Sequence, residues 1–562
     1  MSHSIEHEGR GVSRRSFLKG SVLAGAVIAG SGLAGCATGA PSAYDSTGQD
    51  SIEWDKEADF VLVGSGSGLA GAVAALCNGA STIVLEKAST IGGSTVLSAG
   101  AVWAPNSVYS QEYGDSRENA LKYLACLRGD QGDEKLSEAF VDNAQGMLDL
   151  LNQAAGVEWK GDTASDYHPE WDGGMKTGHT VIPVKGEDGT MAQVLIGKMA
   201  DAIESMGGEI LTDTPALELV TERTDAGTRV VGVKAGKPSS PIMVKANKGV
   251  LLATGGYEWN ETLKNNFLRG KVLYNQSVST NTGDGLRMAM AIGADLANMN
   301  DSWNQVCWKA DSEVANSAGG TSLSTAATRQ KPGSIIVNGK GKRFCNEASD
   351  YDTLGRMFYA FENWGDCSYA NLPAWFVCDD DFVQKFGIGG SVVSSGVVGK
   401  SGSVSVENII IGETVADLAT KIDIDPDALT ATVERFNMYA EQGIDPDFHR
   451  GESYADCSLM ADSTDPEIYG TPAATLRPLT TPPFYAVEVS IATLGTCGGP
   501  KVNENAQVVD TNGNPIDGLY ASGNCAGIGA PGCFYSGPGG TIGSGLTFAM
   551  IAGNHATKNL SA

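Results

Sequence analysis

A glycine-rich segment near residue 64 has the residue types that can approach a phosphate. The apolar run 59–63 leads into GSGSGLAG, residues 64–71, and a second apolar run ends at Glu86. Glycines let the backbone approach a pyrophosphate at a helix N-terminus, and the acid can accept hydrogen bonds from ribose hydroxyls. The third glycine comes one residue early. The order still predicts a strand–turn–helix–strand unit that binds a dinucleotide, rather than a tight turn alone.

Three small-residue segments elsewhere in the chain favour FAD as that dinucleotide. They are GGST at 92–95, ATGG at 253–256 and DGLYASGN at 517–524. A nucleotide fold completed by the C-terminal part of the chain suggests one long cofactor held along its length. The predicted FAD-binding residues are Gly64, Ser65, Gly66, Gly68, Leu69, Glu86, Lys87, Gly92, Gly93, Ser94, Thr95, Ala253, Thr254, Gly255, Asp284, Gly523, Asn524, Gly540, Thr541 and Ile542.

The elements that hold these segments belong to a chain of 562 residues, long enough for two or three domains. Lys and Arg number 39 against 66 Asp and Glu, which gives a net charge of −27. This balance is too acidic for binding nucleic acid, whose phosphates demand basic side chains. The eleven cysteines and six histidines include no CxxC, CxxCH or HExxH motif. We therefore predict no metal and no covalently bound haem.

The first residues have the features of an export signal. An arginine pair at 14–15 precedes an apolar stretch, 20–34, that is too short for a membrane span. The pair resembles a twin-arginine signal, a route that carries folded proteins. LAGC ends at Cys36 and resembles a bacterial lipobox, although an ordinary cleaved signal is the alternative. We expect 1–36 to be the signal, 37–56 a linker, and the protein to be extracytoplasmic, with Cys36 as the candidate lipid anchor.

Six segments together resemble the fumarate reductase/succinate dehydrogenase superfamily of FAD-dependent flavoproteins, which includes 3-ketosteroid Δ1-dehydrogenases. They are GSGSGLAG, IVLEK, GGST, ATGGYEWN, NGKGKRFCNE and DGLYASGN, and the resemblance covers roughly residues 57–560. It implies an α/β fold. A Rossmann-like FAD-binding domain, 57–300 and 485–558, would carry an inserted α+β substrate-capping domain, 301–484.

Three positions separate the branches of this superfamily. The fumarate-reductase branch has an arginine after RF-x-NE, a histidine before TMGG and an arginine before its last glycine pair. This chain has Tyr351, Gly495 and an arginine-free segment, 533–540, in those places. Since carboxylate recognition depends on bidentate arginine, the differences argue against a dicarboxylate substrate.

The same positions resemble the 3-ketosteroid Δ1-dehydrogenase branch. That branch has a tyrosine at the place of Tyr351, an LGTCGG segment like 494–499, and a Y-P-G-P-G-x-T-I-G segment like 535–543. The stretch around Tyr167 resembles the one that carries a third active-site tyrosine. Ser536 departs from the branch, which usually has proline at that place. The export signal is a further departure from the branch.

The resemblance implies chemistry at a carbon–carbon bond beside a ketone. The Tyr535 hydroxyl and the Gly539 N–H would bind the ketone oxygen, as an oxyanion-hole pair. Tyr351 would take the α-proton, and Tyr167 would ease its ionisation, because tyrosine is a weak base at its usual pKa of about 10. Hydride would pass to N5 of FAD. We therefore expect a 3-oxosteroid 1-dehydrogenase-like enzyme that acts on a steroid-like ketone or enone.

Two alternatives stay open at this point. The first is an exported reductase of an enone or other unsaturated substrate. The second is a flavin electron-transfer protein with no substrate of its own. Because the sequence has no haem motif, we expect electron exchange with a separate carrier, a membrane quinone or a cytochrome. His168 and His179 are predicted to have surface or packing roles. Residues 422–442 have the apolar spacing of one helix, and 388–405 the composition of a loop.

Overall fold

The larger part of the fold in the computed structural model is a nine-stranded sheet. The structure describes residues 52–129, 132–185, 189–225, 227–270, 273–362, 368–388, 405–459, 461–529, 532 and 534–560, and the strand Tyr44–Asp45. The predicted signal, with Cys36, and residues 389–404 of the predicted loop lie outside them. Residues 41–562 form one compact unit. No helix among the described residues is both long and apolar enough to cross a bilayer.

Five neighbouring strands of the nine-stranded sheet run parallel, and their sequences contain apolar runs. In Lys56–Val63, for example, residues 60–63 are all buried. Continuous apolar runs are typical of parallel strands covered on both faces. In spatial order the sheet contains Tyr44–Asp45, Ala216–Thr224, Gly227–Lys237, Pro515–Ala521, Ser240–Leu252, Lys56–Val63, Thr82–Leu85 and Glu209–Leu211, with Gln507–Val509 paired to Pro515–Ala521.

Two glycines bring together helices from opposite ends of the chain. Helix Leu69–Cys77 packs against Gly540–Thr557, and a Cβ on Gly553 would lie 2.3 Å from the carbonyl oxygen of Gly71. The remaining described helices are Val108–Gln111, Arg117–Arg128, Glu134–Ala155, Met191–Ser205, Glu261–Phe267, Asp284–Ala291, Lys309–Ser317, Tyr351–Met357, Asp380–Phe386, Val415–Lys421, Pro426–Ala440 and Tyr454–Ser458.

The second sheet is built around one long strand, Phe484–Thr496, which pairs directly with four others. Its strands are Tyr274–Asn275, Ser302–Trp308, Ser334–Asn338, Ala374–Asp379, Ile410–Gly412 and Phe484–Thr496. Separate apolar clusters pack with this sheet. The sheet extends past residues 301 and 484, the predicted limits of the capping segment, and those limits remain a prediction. The predicted α/β class, with a Rossmann-like part and an α+β part, is confirmed.

Smaller elements connect the two large sheets to the loops of the site. A three-stranded antiparallel sheet contains Val102–Trp103, Trp159–Gly161 and Thr180–Pro183, and Leu296–Ala297 pairs with Gly499–Pro500. One sequence prediction needs correction here. The helix predicted over 422–442 begins only at Pro426, because the Asp425 carboxylate caps it by accepting the backbone N–H groups of Asp427 and Ala428. Ile422 instead ends the preceding helix.

Candidate active site

One cavity of about 560 Å³ extends from the glycine turn at residue 64 to a group of three tyrosines, of which Tyr535 is buried and the other two are half-buried. The structure thus brings together segments that are hundreds of residues apart in the sequence. Every residue predicted for cofactor or substrate lines this cavity, apart from four. Those four are Gly68, Leu69, Gly92 and Gly540.

The cofactor end of the cavity begins at a turn that only glycine fits. Gly64 follows the strand Lys56–Val63 with a φ of +101°, and a Cβ there would lie 2.3 Å from the carbonyl oxygen of Ala253. Gly68 has a different role, since its Cβ would lie 2.4 Å from the Ala253 Cβ. The early third glycine therefore makes room for the neighbouring strand end rather than lining the cavity.

Glu86 ties the turn to the second strand. Its buried carboxylate accepts the backbone N–H of Ser65 at 3.0 Å, the Ser65 hydroxyl at 2.5 Å and the N–H of Ala88 at 2.7 Å. The Ser65 hydroxyl oxygen in turn accepts the N–H of Gly92 at 2.9 Å. Gly92 therefore supports the cavity wall through this hydrogen bond, although it does not line the cavity. The Glu86 carboxylate also lines the cavity, so its free lone pairs can accept hydrogen bonds from a ligand.

The donor set at this end fits FAD. Helices Leu69–Cys77 and Gly540–Thr557 both begin beside the cavity, and helix N-termini favour a pyrophosphate. A Cβ on Gly93 would meet no atom within 4 Å, so the backbone there is open to a ligand. Lys87 lines the cavity too, with its ammonium 2.9 Å from the carboxylate of Asp284.

The opposite end of the cavity contains three tyrosines from three distant segments. The ring centres of Tyr351 and Tyr535 are 5.4 Å apart, and Tyr167 lies 5.5 Å from the first and 5.7 Å from the second. Trp303 packs edge-on against Tyr535 at 5.1 Å. These aromatic contacts fix the rings relative to one another.

Backbone and capping contacts set the direction of each tyrosine. Tyr351 opens the helix Tyr351–Met357, which Asp350 caps with one carboxylate oxygen. The Tyr535 hydroxyl lies 2.8 Å from the Thr541 hydroxyl and accepts the Thr541 N–H at 3.3 Å. Tyr167 donates its N–H to the Ser536 carbonyl oxygen at 3.2 Å.

Burial decides the protonation of this cluster. It raises the pKa of Tyr167 and Tyr351 well above the usual value, and raises that of Tyr535 as well. Hydrogen bonding between Tyr167 and Tyr351 lowers the pKa of Tyr167 and raises that of Tyr351. Tyr351 therefore keeps its proton at neutral pH. The easing of Tyr351 ionisation by Tyr167 stays a prediction.

Gly539 lies beside the tyrosines at the start of the long C-terminal helix. Its φ is +89°, and a Cβ there would lie 2.4 Å from the Ala101 carbonyl oxygen. Gly540, the first residue of the helix, packs tightly instead of lining the cavity, because a Cβ there would lie 2.6 Å from the Ser536 hydroxyl and 3.0 Å from the Tyr535 ring. Gly539 therefore lies in the cavity wall with Tyr535, at the start of the helix.

The two histidines support the site from outside the cavity. His179 is buried, with Nδ1 2.7 Å from Asp166 and Nε2 3.2 Å from Asp115. Burial opposes its charge, but the two carboxylates outweigh burial and raise the pKa to about 10. His168 is also buried and stacks on Trp171 at 3.9 Å. The predicted packing roles fit both residues, and neither lies on the surface.

Sequence reasoning missed some cavity residues. Arg329 and Asp350 line the tyrosine end, and Gln276 and Gln305 also line the cavity. Asp350 had a usable signal, because an aspartate just before a helical segment is a common N-cap. Arg329 belongs to no motif, and only the fold brings it to the cavity.

The family of the chain follows from a match that spans most of it. A model of the FAD binding domain family matches residues 59–542. The chain belongs to this family. The flavoprotein is therefore an FAD-dependent oxidoreductase, and the predicted cofactor and superfamily branch are confirmed.

Characterised relatives of the flavoprotein cover nearly its full length. It is 32% identical over 553 residues to 4-oxocyclohexanecarboxylate 2-dehydrogenase of Sinomonas cyclohexanicum, with 88% of this chain and 92% of that protein covered. It is 30% identical over 576 residues to 3-oxosteroid 1-dehydrogenase of Mycobacterium tuberculosis, with 89% and 98% covered. These names favour an enzyme over an electron-transfer protein without a substrate.

A solved structure resembles the flavoprotein throughout. It is 3-ketosteroid Δ1-dehydrogenase from Sterolibacterium denitrificans in complex with 1,4-androstadiene-3,17-dione. The TM-score is 0.80 at 27% identity, and the match covers 90% of this chain and 100% of the other.

Proposed function

We propose that the flavoprotein removes two hydrogens from adjacent carbons beside a ketone of a cyclic substrate. The observation that carries this proposal is the shared cavity, which joins the FAD-fitting turn to three tyrosines and Gly539. The relatives named above act on a steroid ketone and on a cyclic keto acid, so both are candidate substrate classes. When bound, FAD supplies the hydride acceptor.

The tyrosine end has the groups needed to activate the ketone. The Tyr535 hydroxyl and the Gly539 N–H can both donate to the ketone oxygen, where charge develops as the α-proton leaves. Thr541 orients the Tyr535 hydroxyl through its own hydroxyl and N–H. The donors are fixed before the substrate arrives, and they belong to a buried site in which such hydrogen bonds are strong.

Tyr351 is the residue that exchanges the α-proton in this proposal. Its ring centre is 5.4 Å from that of Tyr535, so a carbon next to the bound ketone lies within its range. Because burial raises its pKa, Tyr351 accepts a proton only as its own proton leaves, and Tyr167 is the neighbouring hydroxyl that can take part in this transfer.

The raised pKa also favours a second candidate function, the reduction of an enone. In that direction neutral Tyr351 donates its proton to the α-carbon, and no ionisation has to come first. The two directions differ in pH dependence. Dehydrogenation should become faster as pH rises toward the pKa of Tyr351, whereas enone reduction should be independent of pH across the neutral range.

The experiment that tests both directions uses FAD-loaded enzyme without oxygen. A cyclic 3-ketone should bleach the flavin, and an enone should reoxidise the reduced form, each measured between neutral and alkaline pH. Tyr351→Phe should slow C–H cleavage about 10²- to 10⁴-fold and retain FAD. Tyr469→Phe, which removes an exposed hydroxyl, is the control. Full activity in Tyr351→Phe, or no flavin response to any cyclic ketone or enone, would exclude the proposal.

We further propose that the enzyme is exported by the twin-arginine route, anchored through Cys36, and exchanges electrons with a quinone or cytochrome. The arginine pair at 14–15, the LAGC segment and the absence of a haem motif in the sequence support this proposal. Replacing both arginines by lysine should retain the protein in the cytoplasm, and Cys36→Ser should release it from membranes. Turnover with NADH alone would contradict the separate carrier.

A further inference from the structure

Arg329 is a buried arginine in the wall of the substrate end. It lies in the turn Ala327–Gln330, is 4% exposed, and lines the cavity together with Tyr351. One guanidinium nitrogen, Nη2, donates to the Ser349 carbonyl oxygen at 2.9 Å. Ser349 is two residues before Tyr351, so this hydrogen bond locates the guanidinium beside the tyrosines rather than at the glycine turn.

Two neighbouring buried arginines pair their guanidinium groups with carboxylates, and they serve as a comparison for Arg329. Arg343 forms hydrogen bonds with the carboxylates of Glu347 and Asp445, and Arg450 lies 3.1 Å from Glu347. Arg329, in contrast, has no carboxylate of the described residues within 4.0 Å. The other hydrogen bonds of Arg450 go to oxygens of Lys331, Ser334 and Thr475.

Asp350 is the acidic residue that most affects Arg329, but it forms no ion pair with it, and only one of its oxygens has hydrogen-bond partners among the described residues. One accepts the N–H groups of Asp352 and Thr353, and the other lies 3.6 Å from His168 Nε2. Arg329 lines the cavity, and the hydrogen bond to Ser349 uses only one of its five N–H donors. Burial lowers its pKa to about 10, so the guanidinium stays charged at neutral pH without a close counter-ion.

We propose that Arg329 binds an anionic group, a carboxylate, on the ketone substrate. A buried, charged guanidinium with unused donors is stabilised when a ligand supplies the missing anion. This inference rests on the proposed function and narrows it to cyclic keto acids. It also limits the sequence argument against carboxylates, which considered only three other positions and a dicarboxylate.

The test compares an acid with its neutral ester in the same enzyme. Wild type should use 4-oxocyclohexanecarboxylate about 10- to 100-fold better in kcat/KM than its methyl ester. Arg329→Gln should remove this preference while the ester rate stays within a few-fold, and Arg329→Lys should restore part of it. Arg435→Gln, which removes an exposed arginine, should leave the preference intact.

Binding without turnover separates this inference from the proposed function. Cyclohexanecarboxylate has no ketone, so its affinity, measured by calorimetry, depends on the anion site alone. It should bind wild type and Arg329→Lys. It should bind Arg329→Gln weakly and Tyr351→Phe with normal affinity. An acid preference that is absent in wild type or unchanged in Arg329→Gln would overturn the proposal. Loss of FAD from Arg329→Gln with the preference intact would assign Arg329 to the cofactor instead, and would overturn it too.

Discussion

The two ends of the cavity are lined by different kinds of group: backbone atoms dominate one end, and side chains dominate the other. The cofactor end is mainly backbone, where Gly64 turns under Ala253 and Glu86 accepts the N–H groups of Ser65 and Ala88. The tyrosine end is mainly side chains, which come from segments around residues 167, 351 and 535. A backbone cradle depends on local conformation, whereas a side-chain cluster depends on the assembled fold. The two ends should therefore respond differently to substitution.

The largest expected effect is at the cofactor end. Gly64→Ala should abolish FAD binding, because the new Cβ would lie 2.3 Å from a backbone oxygen at a φ of +101°. The measurement is the flavin content of the purified protein. Gly79→Ala is the matched control, since Gly79 also has a positive φ of +81° but a Cβ there meets nothing within 4 Å. Equal flavin content in the two variants would contradict the role given to the close contact at Gly64.

A smaller effect is expected at the tyrosine end. Tyr535→Phe should reduce flavin bleaching by ketones about 10²- to 10³-fold, because it removes one oxyanion donor, and should leave FAD bound. Thr541→Val should reduce flavin bleaching by a smaller factor, since Thr541 only orients the Tyr535 hydroxyl. If Tyr535→Phe lost its flavin, the two ends would not be independent, and the comparison above would not hold.

The smallest expected effect concerns the support beneath the tyrosine end. The pKa of His179, about 10, lies above the usual 6.5, so its ion pairs stabilise the fold fully below pH 6.5. This stabilisation is lost as pH rises through about 10. We therefore expect the melting temperature to fall by a few degrees between these limits. His179→Gln should flatten that slope, and an unchanged slope would show that other groups cause it.

Most residues predicted from the sequence for the cofactor end line the cavity, whereas those of the tyrosine end were predicted only through a family resemblance. Gly64, Ser65 and Glu86 are close in the chain, and their spacing alone reflects the turn that they form. The positions of the three tyrosines that line the cavity follow from no local pattern. Their raised pKa values come from burial, which the sequence does not display.

Arg329 was beyond sequence prediction for a similar reason. It belongs to no motif, and its importance depends on its forming no ion pair with a carboxylate of the described residues. The helix boundary at Pro426 was predictable in principle, because Asp425 and Pro426 form a common helix start. The apolar residues across 422–442 keep the same helical spacing through both helices. This spacing therefore did not reveal that a new helix begins at Pro426.

The position of strand Pro515–Ala521 in the large sheet has a consequence for how the protein is made. This strand lies between Gly227–Lys237 and Ser240–Leu252, and the helix Gly540–Thr557 that follows it packs on Leu69–Cys77. A ribosome must therefore translate the chain past residue 521 before the sheet behind Gly64 can close. The complete FAD-fitting cavity requires these segments as well, so a chain that stops before residue 515 has the glycine turn but lacks the strand and helix that complete the site.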